Sequence, residues 1–210
     1  MTEKEEEYLV GHSSAEPPQL EQLYRSTYLT RLYPHMCCEP LQGRLLVMLT
    51  RMIKPRRILE LGAFSGYSTL CFAEGMPEGA EIHTVEIDDE AEEGLLRQFE
   101  ASPRGADIHL HIGDALELIP EISAEPWDLV YIDANKRQYL DYYEAVKPLV
   151  PSGGYIFADN TLWADYVLDP ARHDAQTLGL RRFNDAVADD DEVEKVMLPL
   201  YDGLTLIRKK

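Results

Sequence analysis

Two aspartates and an asparagine stand at the ends of neighbouring predicted strands. Asp133 closes the apolar run Leu129-Val130-Tyr131-Ile132, and Asp159-Asn160 closes the run that begins at Tyr155. In an open α/β sheet the carboxyl ends of the strands form the ligand-binding edge. Two carboxylates and an amide oxygen make a hard-oxygen set suited to Mg²⁺, Ca²⁺ or Mn²⁺. Zinc would want His or Cys, and neither is close in sequence. The competing reading is a set of helix caps and solvated strand ends. Lys136 follows Asp133 by three residues in Asp133-Ala134-Asn135-Lys136. A divalent cation nearby disfavours the ammonium form and makes the lysine a candidate base. The alternative is a solvated lysine paired with a neighbouring aspartate.

Further signals lie at the ends of the earlier strands. The segment Glu60-Leu61-Gly62-Ala63-Phe64-Ser65-Gly66 follows the first predicted strand. It occupies the cofactor-loop position of a doubly wound sheet but lacks the third glycine of G-x-G-x-x-G, whose loop packs on a pyrophosphate. A cofactor without pyrophosphate fits it better; a plain βα turn is the alternative. Glu86 ends the second strand, 20 residues past Gly66. A carboxylate there accepts hydrogen bonds from both ribose hydroxyls, unless it is an ordinary exposed acid. Asp114, after the third strand, reads as an N-cap of the next helix, as a neighbour of an adenine amino group, or as both.

These residues need a scaffold, and the pattern supplies one. Thr2 and Glu5 have capping-box spacing for a short first helix. Residues 17–33 carry Leu20, Leu23, Tyr24, Tyr28 and Leu32 at helical spacing, and Pro40–Ile53 is a second amphipathic helix stopped by Lys54-Pro55. From Arg57 onward strands and helices alternate in five βα-like steps, which predicts a parallel sheet covered on both faces. After a helix near 174–187, the segments 192–200 and 204–208 read as two strands joined by a tight turn at Tyr201-Asp202-Gly203. The fold class is therefore α/β, a mostly parallel sheet with a C-terminal antiparallel hairpin and extra N-terminal helices. A single domain is expected, with residues 1–54 as its helical segment and 55–210 as its core.

Composition narrows the function classes. The 210 residues hold 38 Asp+Glu against 20 Lys+Arg, a net charge of −18. Such a balance opposes a general binder of nucleic acid or anionic membrane. At 45% hydrophobic the chain is too apolar for an acidic disordered protein. The acidic start is unlike a signal peptide, and no apolar run approaches the ~20 residues of a membrane span. Three cysteines, two of them adjacent at Cys37-Cys38, form no disulfide framework or metal motif, so a reduced cytoplasmic protein is expected.

Taken together, the segments ILELGAFSGYSTL, HTVEID, DLVYIDANKRQYLDYY, GGYIFADNTLW and DGLTLIRK resemble the cation-dependent class I O-methyltransferases, the caffeoyl-CoA and catechol O-methyltransferase family. The similarity runs from about Leu41 to the C-terminus. It implies S-adenosylmethionine as methyl donor and Asp133, Asp159 and Asn160 as ligands of a divalent cation, Mg²⁺, Ca²⁺ or Mn²⁺. It implies Glu86 and Ile87 at the ribose and its surroundings, with Glu60, Gly62, Phe64 and Ser68 at the methionine half. Asp114 and Ala115 would flank the adenine, and Asp133 would border the cofactor as well as the metal. Lys136 would deprotonate an acceptor hydroxyl, and Trp163 and Met36 would lie on the acceptor side. Thr205 stands where the vertebrate catechol enzymes have a glutamate, and Ala134-Asn135 replaces their His-Trp. Both place the chain nearer the plant and bacterial branch. The implied acceptor is a small catechol-like phenol, and the implied assembly is a homodimer.

Three rivals remain. Some bacterial relatives methylate a hydroxylated uridine in tRNA; the acid excess opposes this, although Lys54/Arg56/Arg57 or Arg181/Arg182 could form a local basic patch. An NAD(P) oxidoreductase is opposed by the missing third glycine and the terminal hairpin. A non-catalytic nucleoside-binding module is opposed by the Asp133/Asp159/Asn160/Lys136 set. Cys37 and Cys38 read as buried apolar filler or, with Met36, as a pocket wall. His109 and His111 alternate on the third strand and read as a partly exposed sheet face and not as a metal pair. Asp189–Glu192 lacks the spacing of a calcium loop and reads as a solvated turn.

Overall fold

The computed structural model describes residues 3–210. Helix α1 spans Glu3–Gly11, and the capping box expected at Thr2 lies outside the described residues. Helices α2 (Pro18–Thr30) and α3 (Pro40–Ile53) each carry proline in the first turn, where its missing N–H is no loss. Lys54 closes α3 in a left-handed conformation ahead of Pro55. The chain then alternates β1 (Arg57–Leu61), α4 (Tyr67–Gly75), β2 (Glu81–Glu86), α5 (Glu92–Glu100), β3 (Ile108–Ile112), α6 (Ala115–Ile122), β4 (Leu129–Ile132), α7 (Tyr139–Val146) and β5 (Tyr155–Asp159). Helix α8 (Ala175–Asp189) precedes the hairpin of β6 (Val193–Leu198) and β7 (Leu204–Lys209).

The sheet has seven strands in the order β3-β2-β1-β4-β5-β7-β6. The pairs β2/β3, β1/β4 and β4/β5 are parallel, while β7 is antiparallel to both β5 and β6. The expected architecture is present. Two details differ from the sequence reading. The second helix ends at Thr30 because Arg31 turns extended, which leaves Leu32 82% exposed. Asp190 is an anchor and not merely part of a solvated turn, for it accepts from the Tyr143 hydroxyl at 2.8 Å and from Lys147 Nζ.

Contacts group the residues into two compact units. The first comprises the chain to Arg56 together with Ala63–Ile112. Its core gathers Leu46 and Val47 of α3 with Leu70, Cys71 and Phe72 of α4, all at most 4% exposed. Each such side chain contributes about 1.5–3 kcal/mol by leaving water. Glu74 of α4 accepts a two-pronged hydrogen bond from Arg44 of α3, at 2.7 and 3.1 Å. Cys37, Cys38 and Cys71 are buried and not joined in a disulfide, and the burial of Cys37 and Cys38 agrees with their reading as apolar filler.

The second unit comprises Arg57–Gly62 and Gly113–Lys210. All four residues of β4 are buried, as a strand covered on both faces requires. Between α7 and α8, Phe183 meets Tyr139 and Tyr143 edge-to-face, with ring centroids 5.5 and 5.8 Å apart. This packing fixes the start of α7, which carries much of the site described next.

Candidate active site

Strand β1 delivers the chain into the second unit's chemical cluster. Gly62 sits at φ 101°, and a Cβ there would lie 2.2 Å from the carbonyl oxygen of Asp133. Glycine is therefore required for the ends of β1 and β4 to pack, and the Asp133 amide donates to the Leu61 carbonyl at 2.9 Å. Glu60 is fully buried on the same strand.

Asp133 follows β4 and Asp159 ends β5, so the parallel pairing of these strands brings their carboxyl ends together. Lys136 is 8% exposed and donates from Nζ to Asp133 Oδ1 at 2.6 Å and to the Tyr139 hydroxyl at 2.7 Å. That hydroxyl donates in turn to the Asp159 carbonyl at 2.9 Å. Asp159 is 3% exposed; its Oδ2 accepts from the Tyr131 hydroxyl at 2.7 Å and its Oδ1 from the Asn160 amide at 2.8 Å. Burial, followed by the charge of Asp133, lifts the Asp159 carboxyl to about 6, with Lys136 and Tyr131 pulling the other way. Burial and the same two aspartates hold the Tyr139 phenol well above its ordinary range.

The following loop and α8 hold this cluster in place. Asn160 has φ 54°, which asparagine tolerates, and Trp163, Ala164 and Asp165 continue with φ of 51°, 50° and 62°. The hairpin turn pins the segment: the amides of Leu162 and Trp163 donate to the Asp202 carbonyl at 2.7 and 3.1 Å, and Asn184 of α8 donates to the Thr161 carbonyl at 2.9 Å. Trp163 places its ring centroid 5.9 Å from Lys136 Nζ. A Cβ on Gly179 of α8 would lie 2.5 Å from the Lys136 carbonyl oxygen, so the bare α-carbon lets the Lys136 backbone settle on the helix. Thr205 is 3% exposed and donates to the Thr161 hydroxyl at 2.9 Å, which makes it a support of the loop. Asp114 caps α6 by accepting from the Leu116 amide at 2.8 Å, and Ala115 begins that helix, 8% exposed.

In the first unit, Glu86 at the end of β2 is 8% exposed. Its Oε2 accepts from the Phe64 amide at 2.7 Å and its Oε1 from the Asp88 amide at 2.9 Å. Phe64 adopts φ 50° to make that contact. Each carboxylate oxygen keeps acceptor capacity beyond one amide, so the acid can still take the two hydroxyls of a ribose. Ser68 is buried in α4, whereas Ile87 is 72% exposed beside Glu86. Met36 stands exposed on the short turn Pro34–Met36.

From sequence Tyr131 and Tyr139 read as apolar members of β4 and α7, not as site residues. A signal exists for the first: Tyr131 precedes Asp133 by two residues, a spacing that sets both on one side of an extended chain. For the second, the distance of three residues from Lys136 was the hint.

The O-methyltransferase family model matches residues 10–210, nearly the whole chain. The chain belongs to that family. A caffeoyl-CoA O-methyltransferase of Stellaria longipes is 30% identical over 94% of this chain and 87% of its own length. A catechol O-methyltransferase of Niastella koreensis is 29% identical over 82% of each. Among solved structures, the O-methyltransferase TomG of Streptomyces achromogenes, in complex with SAM, superimposes with TM-score 0.91 at 28% identity over 100% of both chains. This O-methyltransferase is thus an S-adenosylmethionine-dependent enzyme of the caffeoyl-CoA and catechol type. Among the described residues no helix is long and apolar enough to cross a membrane.

Proposed function

We propose that the enzyme methylates one hydroxyl of a vicinal-diol phenol with the help of a divalent cation held by Asp133, Asp159 and Asn160. The observation that carries this reading is geometric: the parallel pairing of β4 and β5 brings Asp133 beside Asp159, a carboxylate 3% exposed and oriented by the Tyr131 hydroxyl and the Asn160 amide. Two acids at the ends of adjacent strands with an amide oxygen beside them suit a hard cation, whose charge would relieve their repulsion. The catechol relative supports the acceptor class.

When bound, the cation polarises the acceptor oxygens and S-adenosylmethionine supplies a sulfonium methyl group. The remaining work falls to the protein's own side chains. Lys136 Nζ takes the proton of the acceptor hydroxyl. Tyr139 holds that nitrogen in place from the other side, at 2.7 Å. Tyr131 fixes the orientation of Asp159 through its 2.7 Å hydrogen bond. In this reading Glu86 accepts the ribose hydroxyls, Ile87 and Asp114-Ala115 serve the nucleoside, and Glu60, Gly62, Phe64 and Ser68 serve the methionine half. Trp163 and Met36 line the acceptor side. Alignment of acceptor and methyl group supplies the rate enhancement, and no covalent enzyme intermediate is needed.

Labelled methyl transfer should be compared on catechol, on a monophenol of the same size and on bulk tRNA. Transfer to catechol alone supports the reading, whereas equal transfer to the monophenol or preference for tRNA contradicts it. A homodimer through the N-terminal helices is part of the same proposal. The exposed apolar side chains Leu29, Leu32, Tyr33, Met48 and Met52 support it; a monomeric mass in sedimentation would oppose it.

A further inference from the structure

Four chemistry-bearing side chains outside the active-site cluster share one face of the β2/β3 pair. Glu81 and His83 alternate along β2, and His109 and His111 alternate along β3. The parallel register sets His83 against His109 and Val85 against His111. Period-2 alternation then places the three imidazoles and the carboxylate on the same side. Sequence alone showed only the His109/His111 pair, because the third imidazole arrives across the strands.

Two of the contacts have the spacing of neighbouring ligands on one ion. Glu81 Oε1 lies 3.3 Å from His83 Nε2, and Glu81 Oε2 lies 3.6 Å from His109 Nε2. Ligands at bonds of about 2.0–2.2 Å in a tetrahedron are separated by about 3.3–3.6 Å. One potential donor atom from each of Glu81, His83 and His109 lies within 4.8 Å of the others. His111 completes the arrangement from behind: its Nε2 is 2.9 Å from His83 Nδ1, with the two rings stacked at 5.1 Å. A partner on the second ring nitrogen fixes the orientation and tautomer of a metal-binding histidine.

We propose that Glu81, His83 and His109 form a second metal site, separate from the Asp133/Asp159/Asn160 cluster, that takes a borderline divalent transition ion of the Zn²⁺ class and ties β3 to β2. Two imidazole nitrogens and one carboxylate oxygen favour such an ion over Mg²⁺ or Ca²⁺, which want oxygen alone. His109 is 43% exposed at the side chain, so the fourth position is open to water. The ion would bind at the strand that ends in Glu86, and its role there is structural.

The test uses the full chain carrying Asp159→Ala, stripped with EDTA, so that the other cluster cannot report. Calorimetry with ZnCl₂ in excess Mg²⁺ should show one ion bound, and the melting temperature should rise with zinc. Co²⁺ should give the visible absorption of a four-coordinate nitrogen and oxygen site. Adding His109→Gln, a change at a half-exposed position, should weaken zinc binding about 10-fold or more and abolish the zinc-dependent melting shift. Glu81→Gln should do the same. No zinc binding in the Asp159→Ala protein, or binding that His109→Gln and Glu81→Gln leave unchanged, overturns the proposal.

Discussion

The hydroxyl of Tyr131 donates to Oδ2 of Asp159 at 2.7 Å, and both groups are buried. The carboxylate has its other oxygen on the Asn160 amide, so the two bonds set its plane. If Asp159 is a metal ligand, Tyr131 is the group that orients it. Outer partners of this kind typically account for 10–100-fold in metal affinity. Tyr131→Phe should therefore raise the Mg²⁺ concentration needed for half-maximal activity by about 10-fold or more, with turnover at saturating Mg²⁺ changed much less. A Mg²⁺ titration of activity checks this; an unchanged half-point contradicts it.

Lys136 should carry the proton step. Lys136→Met keeps the length of the side chain and removes the amine. Loss of a general base costs about 10²–10⁴-fold in rate. The turnover number should fall by that order while S-adenosylmethionine affinity, followed by calorimetry, stays within a few-fold. A variant with near-normal turnover would assign the proton to another acceptor.

Gly179 tests the role of α8 at a distance from the chemistry. A methyl group there meets the Lys136 carbonyl oxygen at 2.5 Å and the Arg137 Cα at 2.8 Å, both backbone atoms that cannot swing aside. The Lys136 segment must shift, and a misplacement of about 1 Å in a catalytic group can cost 10²-fold. Gly179→Ala should lower turnover by roughly that much with the melting temperature reduced only moderately. Full activity in this variant would show that the segment yields without consequence.

Stability should fall in mild acid through the β2/β3 histidines. Burial, then the charge of His109, lowers His83 to about 4 from an ordinary value of 6.5, and His111 is lowered for the same reasons. Between those values the unfolded chain holds a proton that the folded chain excludes. Stability then rises with pH across that window, and is lost as pH falls from about 6.5 to 4. In EDTA, melting temperatures measured from pH 7 to 4.5 should drop more steeply for the wild type than for His83→Gln. Parallel slopes would remove His83 from the explanation.

The sequence carried the frame of this enzyme further than its interior. Strand ends were readable because β4 and β5 are short apolar runs that stop at acids, and this alone placed Asp133, Asp159 and Asn160 at one sheet edge. Pro40 and Lys54-Pro55 mark the two ends of α3 through local chemistry. The groups that sequence does not reveal depend on tertiary placement. Tyr131 and Tyr139 resemble core aromatics in sequence, and only the fold brings their hydroxyls to Asp159 and Lys136. Asp190 resembled its acidic neighbours, and only the packing of α7 brings Tyr143 and Lys147 to it. His83 could join His109 only once the strand register was known. Leu32 had helical spacing, yet the helix stopped before reaching it, since the apolar pattern says nothing of where Arg31 turns extended.

The central claim is that the Asp133/Asp159/Asn160 cluster binds the cation on which methyl transfer depends. Its most direct measurement is labelled methyl transfer to catechol by EDTA-stripped enzyme as Mg²⁺ is added back, run beside Asp159→Ala with S-adenosylmethionine affinity monitored in both. The account predicts no transfer in EDTA, recovery with Mg²⁺ in the wild type, and none in Asp159→Ala although it still binds S-adenosylmethionine. Undiminished transfer in EDTA, or Mg²⁺-restored activity in Asp159→Ala, would contradict it.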